Sequence, residues 1–206
     1  VKGSPDRFIP FGELAKKAEG LGHGRLIVGQ GQWAPTNTTF PDKKTKYGNI
    51  SGSYSFAAQV AEVEVDPETG QVKVLNVTIG DDCGQVINPL SVEGQAEGSV
   101  CMGIGHAFLE HLIFGKNGQV MNPSFLDFKI PTTLESAPTK VLEVGKPDPI
   151  GPYGAKEIGE GLLISTVPAI ANAIYDAIGV RIKELPITPD KILGALEKKK
   201  REEEKQ

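Results

Sequence analysis

Ala61-Glu62-Val63-Glu64-Val65-Asp66, then Pro67-Glu68-Thr69-Gly70, then Gln71-Val72-Lys73-Val74-Leu75-Asn76-Val77: apolar and polar residues alternate, break over a short turn-forming group, and resume the alternation. Period-two alternation puts one set of side chains on each face of a sheet, one dry and one wet. The interruption carries proline, threonine and glycine, which is turn chemistry. The stretch therefore reads as a β-hairpin, and an α+β fold of antiparallel sheet segments with packed helices follows from what surrounds it.

Downstream, Asn88-Pro89 is a helix start: asparagine caps, and proline at the first position gives up an N–H that has no intrahelical partner anyway. The helix is expected to run towards Leu112 and holds Gly94, Gly98, Gly103 and Gly105. Each glycine costs a helix about 1 kcal/mol relative to alanine. Two explanations stand side by side, tight helix–sheet packing and a flat ligand lying against the helix. Further on, strands are expected over His111–Phe114 and Lys140–Val144, with a turn at Lys116-Asn117-Gly118. A stiff loop from Asp148 to Ala155 leads into an apolar helix, Leu162 to Ile178, and Thr188-Pro189 opens a last helix over Asp190–Glu197. Upstream, Phe11–Glu19 reads as a short helix, Arg25–Gln32 as a strand, and Trp33–Ile50 as a long polar excursion over the surface or against a partner. The expected division is an extended segment over residues 1–50, the main portion over 51–196 and a charged tail over 197–206.

The whole chain bounds the function classes. It has 206 residues, a hydrophobic fraction of 39% and a net charge of -4, with lysines and arginines scattered, so no nucleic-acid partner is expected. Cys83 and Cys101 form no C-x-x-C pair, and free thiols fit a reducing cytoplasm. Gly161–Ile178 is interrupted by Pro168, Asn172 and Asp176, so a core helix is expected there and no membrane span. The chain opens Val1-Lys2-Gly3-Ser4 without an initiator methionine, which suggests a trimmed or processed piece of something longer.

Common catalytic signatures are missing: there is no phosphate-loop motif, no H-E-x-x-H and no G-x-S-x-G. His23, His106 and His111 do not cluster by spacing. The loop Gly154-Ala155-Lys156-Glu157-Ile158-Gly159-Glu160-Gly161 is more informative, because Glu160 sits between glycines immediately before an apolar helix. Flanking glycines let a backbone approach a ligand closely. A first-turn glutamate that merely favours the helix dipole is the other reading.

Three stretches in order resemble the xanthine-oxidase family of molybdenum hydroxylases. They are Ser53–Asp66 with its Thr69-Gly70 turn, Asp82-Cys83-Gly84-Gln85-Val86-Ile87-Asn88-Pro89 running into Val92–Gly98 and Gly103–Gly105, and Gly154–Glu160 followed by Pro168–Ala177. The likeness covers about residues 50 to 195, the C-terminal part of that family's large subunit. It implies a molybdenum held by the dithiolene of a pterin cofactor and by no protein ligand, with the cytosine dinucleotide form as one variant. It also implies cofactor contacts from Gln95 and from the turn Lys156, Glu157, Ile158 and Gly159, with Glu160 as catalytic base. A base carboxylate in a partly apolar pocket is strengthened by desolvation, and Lys156 would oppose that if its ammonium reached Glu160.

The implied partners are the N-terminal portion of the molybdenum subunit on another chain, a 2Fe-2S subunit and an FAD subunit. The implied substrate is an aromatic, heteroaromatic or aldehyde carbon; Gly161 follows Glu160 where purine-oxidising relatives tend to have proline, and Gly151–Glu157 looks more like aryl-CoA reductases of the 4-hydroxybenzoyl-CoA type. The rival expectation is a non-catalytic scaffold in a multi-subunit complex, with Glu160 only favouring its helix.

Overall fold

The computed structural model describes residues 6, 8–21 and 28–205. The chain divides into two compact units, Val1–Ala34 and Pro35–Gln206. The first contains helix α1, Phe11–Leu21, in which Pro10 accepts from the Glu13 and Leu14 amides at 3.0 and 2.9 Å. Of the strand expected over Arg25–Gln32, residues 25–27 lie outside the described residues and 28–32 form no strand.

The second unit is built on the hairpin. Strands β1 (Phe56–Val65) and β2 (Val72–Asp82) pair antiparallel, Phe56 opposite Asp82 and Val65 opposite Val72, with one irregularity between Glu62 and Val63. Strand β3 (Thr139–Glu143) joins β2 on its other side, placing Val141 opposite Ile79, and it runs parallel. The sheet is therefore mixed, within an α+β fold. Parallel pairing needs a long crossover, and α2 with the segment behind it provides one. His111–Phe114 forms no strand. Phe114 makes one isolated bridge to Val120, and Asn122 takes over the backbone pairing, accepting from the Ile113 amide at 2.9 Å and donating to His111 O at 2.7 Å.

Helix α2 spans Pro89–Phe108, capped by Asn88 accepting from the Ser91 amide at 3.3 Å, and it stops short of Leu112. The apolar stretch after Gly159 forms two helices, α3 (Glu160–Ile164) and α4 (Thr166–Ile178), where one was expected. Pro168 explains the break at Ser165: its ring opposes the carbonyl four residues earlier and it offers no N–H. By length and composition Glu160–Ile178 could cross a membrane, at 19 residues and mean hydropathy 1.4. Instead Thr166, Ile170 and Ile174 are buried in the packing of α4 against β1 and α2. The last helix, α5, runs over Pro189–Glu203 and so takes most of the charged tail into helix.

Val77, Val100, Ile104, Ile170, Ile174, Ile187 and Ile192 form the main core between sheet and helices. A smaller cluster, Ile79, Ala96 and Leu162, lies towards the Asp82 end of β2, with Ala57, Val141 and Ile158 against it. At about 1.5–3 kcal/mol per large apolar side chain, this cluster fixes α2, α3 and β2 together. It is the floor on which the candidate site stands.

Candidate active site

Where β2 ends, Asp82-Cys83-Gly84-Gln85 meets the loop that precedes α3. Gly84 takes a left-handed φ of 71° and bridges Ala155 antiparallel. A Cβ at Gly84 would stand against the Gly154 carbonyl, so only glycine allows this approach. The Lys156 amide donates to Cys83 O at 2.7 Å and the Gln85 amide to Gly154 O at 2.6 Å. Asp148 stiffens the loop from its other side, its Oδ1 accepting from the Ile150 and Gly151 amides at 2.8 and 2.7 Å.

Side chains tie the next residues. Lys156 Nζ lies 2.7 Å from Asp82 Oδ2 and 5.4 Å from the centre of the Phe56 ring. The hydrogen bond from Lys156 holds the Asp82 carboxyl below its ordinary value. Ser55 Oγ donates to Glu157 Oε2 at 2.7 Å. That carboxylate lies along Gly159 and Gly161, whose added Cβ atoms would sit 3.1 Å from Glu157 Oε1 and 3.0 Å from Ser55 Oγ respectively. Ile158 enters the small apolar cluster, and Ser99 on α2 donates to Gly159 O at 3.5 Å.

Glu160 then opens α3. It is exposed, and among the described residues its carboxylate makes no hydrogen bond or ion pair. Gln95 is likewise exposed with a free amide, one turn before Ser99 on the same side of α2. The structure thus brings α2, at Ser99, against Gly159 of the turn that carries Glu160, with Gln95 one turn earlier on the same helix. It does not bring the Lys156 ammonium to Glu160, since that ammonium is paired with Asp82.

Adjacent residues at this strand end behave oppositely. Asp81 faces inward, is 2% exposed, and burial raises its carboxyl. Burial, then the hydrogen bond with Asp81, pushes the Cys83 thiol up to about 11. Asp82, Phe56 and Ser55 were not singled out from the sequence. The available signal was their place in the first two resembling stretches, with Asp82 two residues before a glycine.

Residues 1–137 match the family model of the molybdopterin cofactor-binding domain. The chain belongs to that family. It is 42% identical over 136 residues to the nicotine 6-hydroxylase large subunit of Paenarthrobacter nicotinovorans, covering 65% of this chain and 17% of the relative. It is 34% identical over 193 residues to the probable hypoxanthine oxidase XdhD of Escherichia coli K12, covering 92% and 18%. The crystal structure of the aldehyde oxidoreductase of Desulfovibrio gigas superposes with a TM-score of 0.72 at 34% identity, over 80% of this chain and 18% of that one. The molybdopterin-binding chain is thus of the xanthine-oxidase type and spans less than a fifth of the length of these relatives.

The glycines of α2 test whether this molybdopterin-binding domain fits its cofactor. A Cβ on Gly103 would collide with Thr166, and one on Gly105 with Glu110 and Pro131, so these two serve packing within the chain. Gly94 and Gly98 have nothing within 4 Å of an added Cβ, and they flank Gln95 on the open side of the helix. The packing explanation offered for the glycine-rich helix holds for Gly103 and Gly105, while Gly94 and Gly98 leave an open strip. A flat strip of backbone beside a free amide suits a planar pterin with its ring donors and acceptors. Thiolate sulfurs of the cofactor itself would hold the metal, so the donor set needs no protein ligand. The residues present fit the group.

Proposed function

We propose that the chain completes the active site of a molybdenum-cofactor oxidoreductase by contributing the catalytic base, Glu160, and part of the pterin site. The observation that carries this reading is a free carboxylate on a turn whose neighbours are all tied down. Ala155 and Lys156 are fixed to β2, Glu157 to Ser55, Ile158 to the apolar cluster and Gly159 to Ser99, while Glu160 has no described partner. A side chain left without a partner on a backbone held that firmly is positioned for something outside the described residues. Gln95 offers an amide that donates and accepts, one turn before the Ser99 that meets Gly159.

When bound, the molybdopterin supplies two-electron redox chemistry at an electron-poor carbon, with water as the source or sink of oxygen. The work left to this chain is to bind and orient. Gln95 and the strip at Gly94 and Gly98 receive the pterin, in its plain or cytosine dinucleotide form. Lys156, Glu157, Ile158 and Gly159 set the height of the turn, and the Glu160 carboxylate takes the proton released as the carbon is attacked. The substrate is an aromatic, heteroaromatic or aldehyde compound. The Gly151–Glu157 pattern and Gly161 after Glu160, where purine-oxidising relatives tend to have proline, lean towards an aryl thioester of the 4-hydroxybenzoyl-CoA kind.

Partners follow from size. The relatives are several times longer, so the rest of the pocket would come from the portion of the molybdenum subunit that precedes these residues in the relatives, whether on this polypeptide or on another, with 2Fe-2S and FAD partners to carry the electrons. The free thiols Cys83 and Cys101 suit the cytoplasm. In the assembled enzyme, Glu160→Gln is expected to lower kcat by roughly 10²–10⁴-fold with molybdenum and pterin contents unchanged. Turnover within about threefold of the unaltered enzyme removes Glu160 as the base. A scaffold that only holds a complex together would purify without either cofactor component.

A further inference from the structure

We infer that Asp82 and Lys156 form a positioning pair, a strut from the end of β2 that sets where Glu160 stands, and that the Lys156 ammonium serves neither the cofactor nor Glu160 as a counter-charge. The inference rests on the functional reading of Glu160 given above and adds the device that aims it.

The Lys156 side chain is only 7% exposed, against 29% for Asp82, so the pair is sheltered from screening by solvent more than a surface bridge is. Its ammonium is occupied on two sides, by Asp82 Oδ2 at 2.7 Å and by the Phe56 ring at 5.4 Å. The other oxygen of Asp82 accepts from the Gly84 amide at 3.2 Å, which fixes the carboxylate in turn. Lys156 is gripped by its backbone as well, through the 2.7 Å bond from its amide to Cys83 O. Backbone and side chain of one residue are thus anchored to the same strand end, β2 at Asp82 and Cys83. Such a double anchor removes both translation and rotation of the segment, which a backbone bond alone would not do.

The Ser55–Glu157 bond repeats the device one residue later, from the start of β1. Three residues separate Lys156 from Glu160 and two separate Glu157 from it, so a change in either anchor reaches the carboxylate through a short turn. With its charge matched by Asp82, the ammonium leaves the field at Glu160 to that residue's other surroundings. Displacing a reacting group by about 1 Å can cost about 10²-fold in rate.

The test uses the assembled enzyme, with Lys156→Met, Asp82→Asn, the double variant and Lys156→Arg. Each single change is expected to lower kcat roughly 10–100-fold, with KM within about threefold and molybdenum and pterin contents retained. The double variant should fall no further than the worse single, because both remove one strut. Lys156→Arg should recover most of the loss, since a guanidinium can still pair with Asp82 and stack on Phe56. Amide exchange over residues 155–161 should quicken in the single variants, with the hairpin turn unaffected.

Losses that multiply in the double variant, or kcat within about threefold of the unaltered enzyme for both singles, overturn the pair. If Lys156→Met does not assemble, Asp82→Asn and Lys156→Arg carry the same comparison. Full activity in Glu160→Gln would defeat the base assignment alone, because the exchange readout on Asp82→Asn still judges the strut.

Discussion

At the Val72 end, β2 is entered from a turn whose hydrogen bonds stay within a few residues; at the Asp82 end it is held by residues far along the chain. Asp66 accepts from the Glu68 amide at 2.8 Å and from Thr69 Oγ1 at 2.8 Å, and Gly70 closes the turn on Asp66 O at 2.8 Å. Across the strand, Asp82 finds Lys156, Gly84 finds Ala155, and Ser55 at the start of β1 finds Glu157. Both ends use an aspartate with a lowered pKa and a left-handed glycine, Gly70 at φ 74° and Gly84 at φ 71°. The same chemistry shapes a connector at one end and a site at the other. What differs is how far along the chain the hydrogen-bonding partners lie.

Burial offers the largest contrast. A thiol at about 11, against an ordinary 9.0, keeps its proton at neutral pH. Since the thiolate is the nucleophile, each unit of that rise lowers the reactive fraction about tenfold, partly offset by a more nucleophilic thiolate. Cys83 should therefore be alkylated by iodoacetamide at least about tenfold more slowly in the folded chain than in urea, read by mass spectrometry. Equal rates would mean the site end is as open as the turn end.

The glycines come next. Gly70→Ala meets Pro189 O and Gly84→Ala meets Gly154 O, each at a left-handed φ. Each should cost about 1–3 kcal/mol of stability in denaturant unfolding. Only Gly84→Ala should also lower kcat of the assembled enzyme, by about tenfold, as the loop carrying Glu160 shifts. An equal loss of kcat from Gly70→Ala would erase the distinction between the ends.

The smallest effect belongs to the turn aspartate. Asp66→Ala removes the local acceptor, and the melting temperature should fall by about 2–4 °C with kcat unchanged. Acid sharpens the same comparison by its sign. Asp82 has a lowered folded value, so its stabilisation is full above the ordinary carboxylate pKa and is lost as pH falls through the folded one. Asp81, raised by burial, contributes in the opposite sense and loses its share as pH rises through its folded value.

Much of this was legible beforehand for a local reason. The hairpin, the Asn88 cap and the small-residue helix follow from alternation, turn chemistry and capping, which act over a few residues. Glu160 between glycines was also visible, and so was Gln95 through resemblance. The strand expected over Lys140–Val144 forms as β3, but its parallel pairing was not legible, because the sense of pairing depends on a crossover of more than fifty residues between Asp82 and Thr139. Nor was the break at Ser165, where an apolar run hid the geometric effect of Pro168. His111–Phe114 has strand-like residues, but Asn122 satisfies its backbone and no neighbouring strand is needed.

By itself, then, the sequence determined the hairpin, its wet and dry faces, the glycine turn before α3 and the family, since each is written in residues close together or in ordered motifs. Only the tertiary structure decided which glycines of α2 are packed and which are open, and that Lys156 turns to Asp82 across 74 residues of chain. The physical reason is range: backbone preferences act between near neighbours, whereas an ion pair or an open face exists only once distant segments have been folded together.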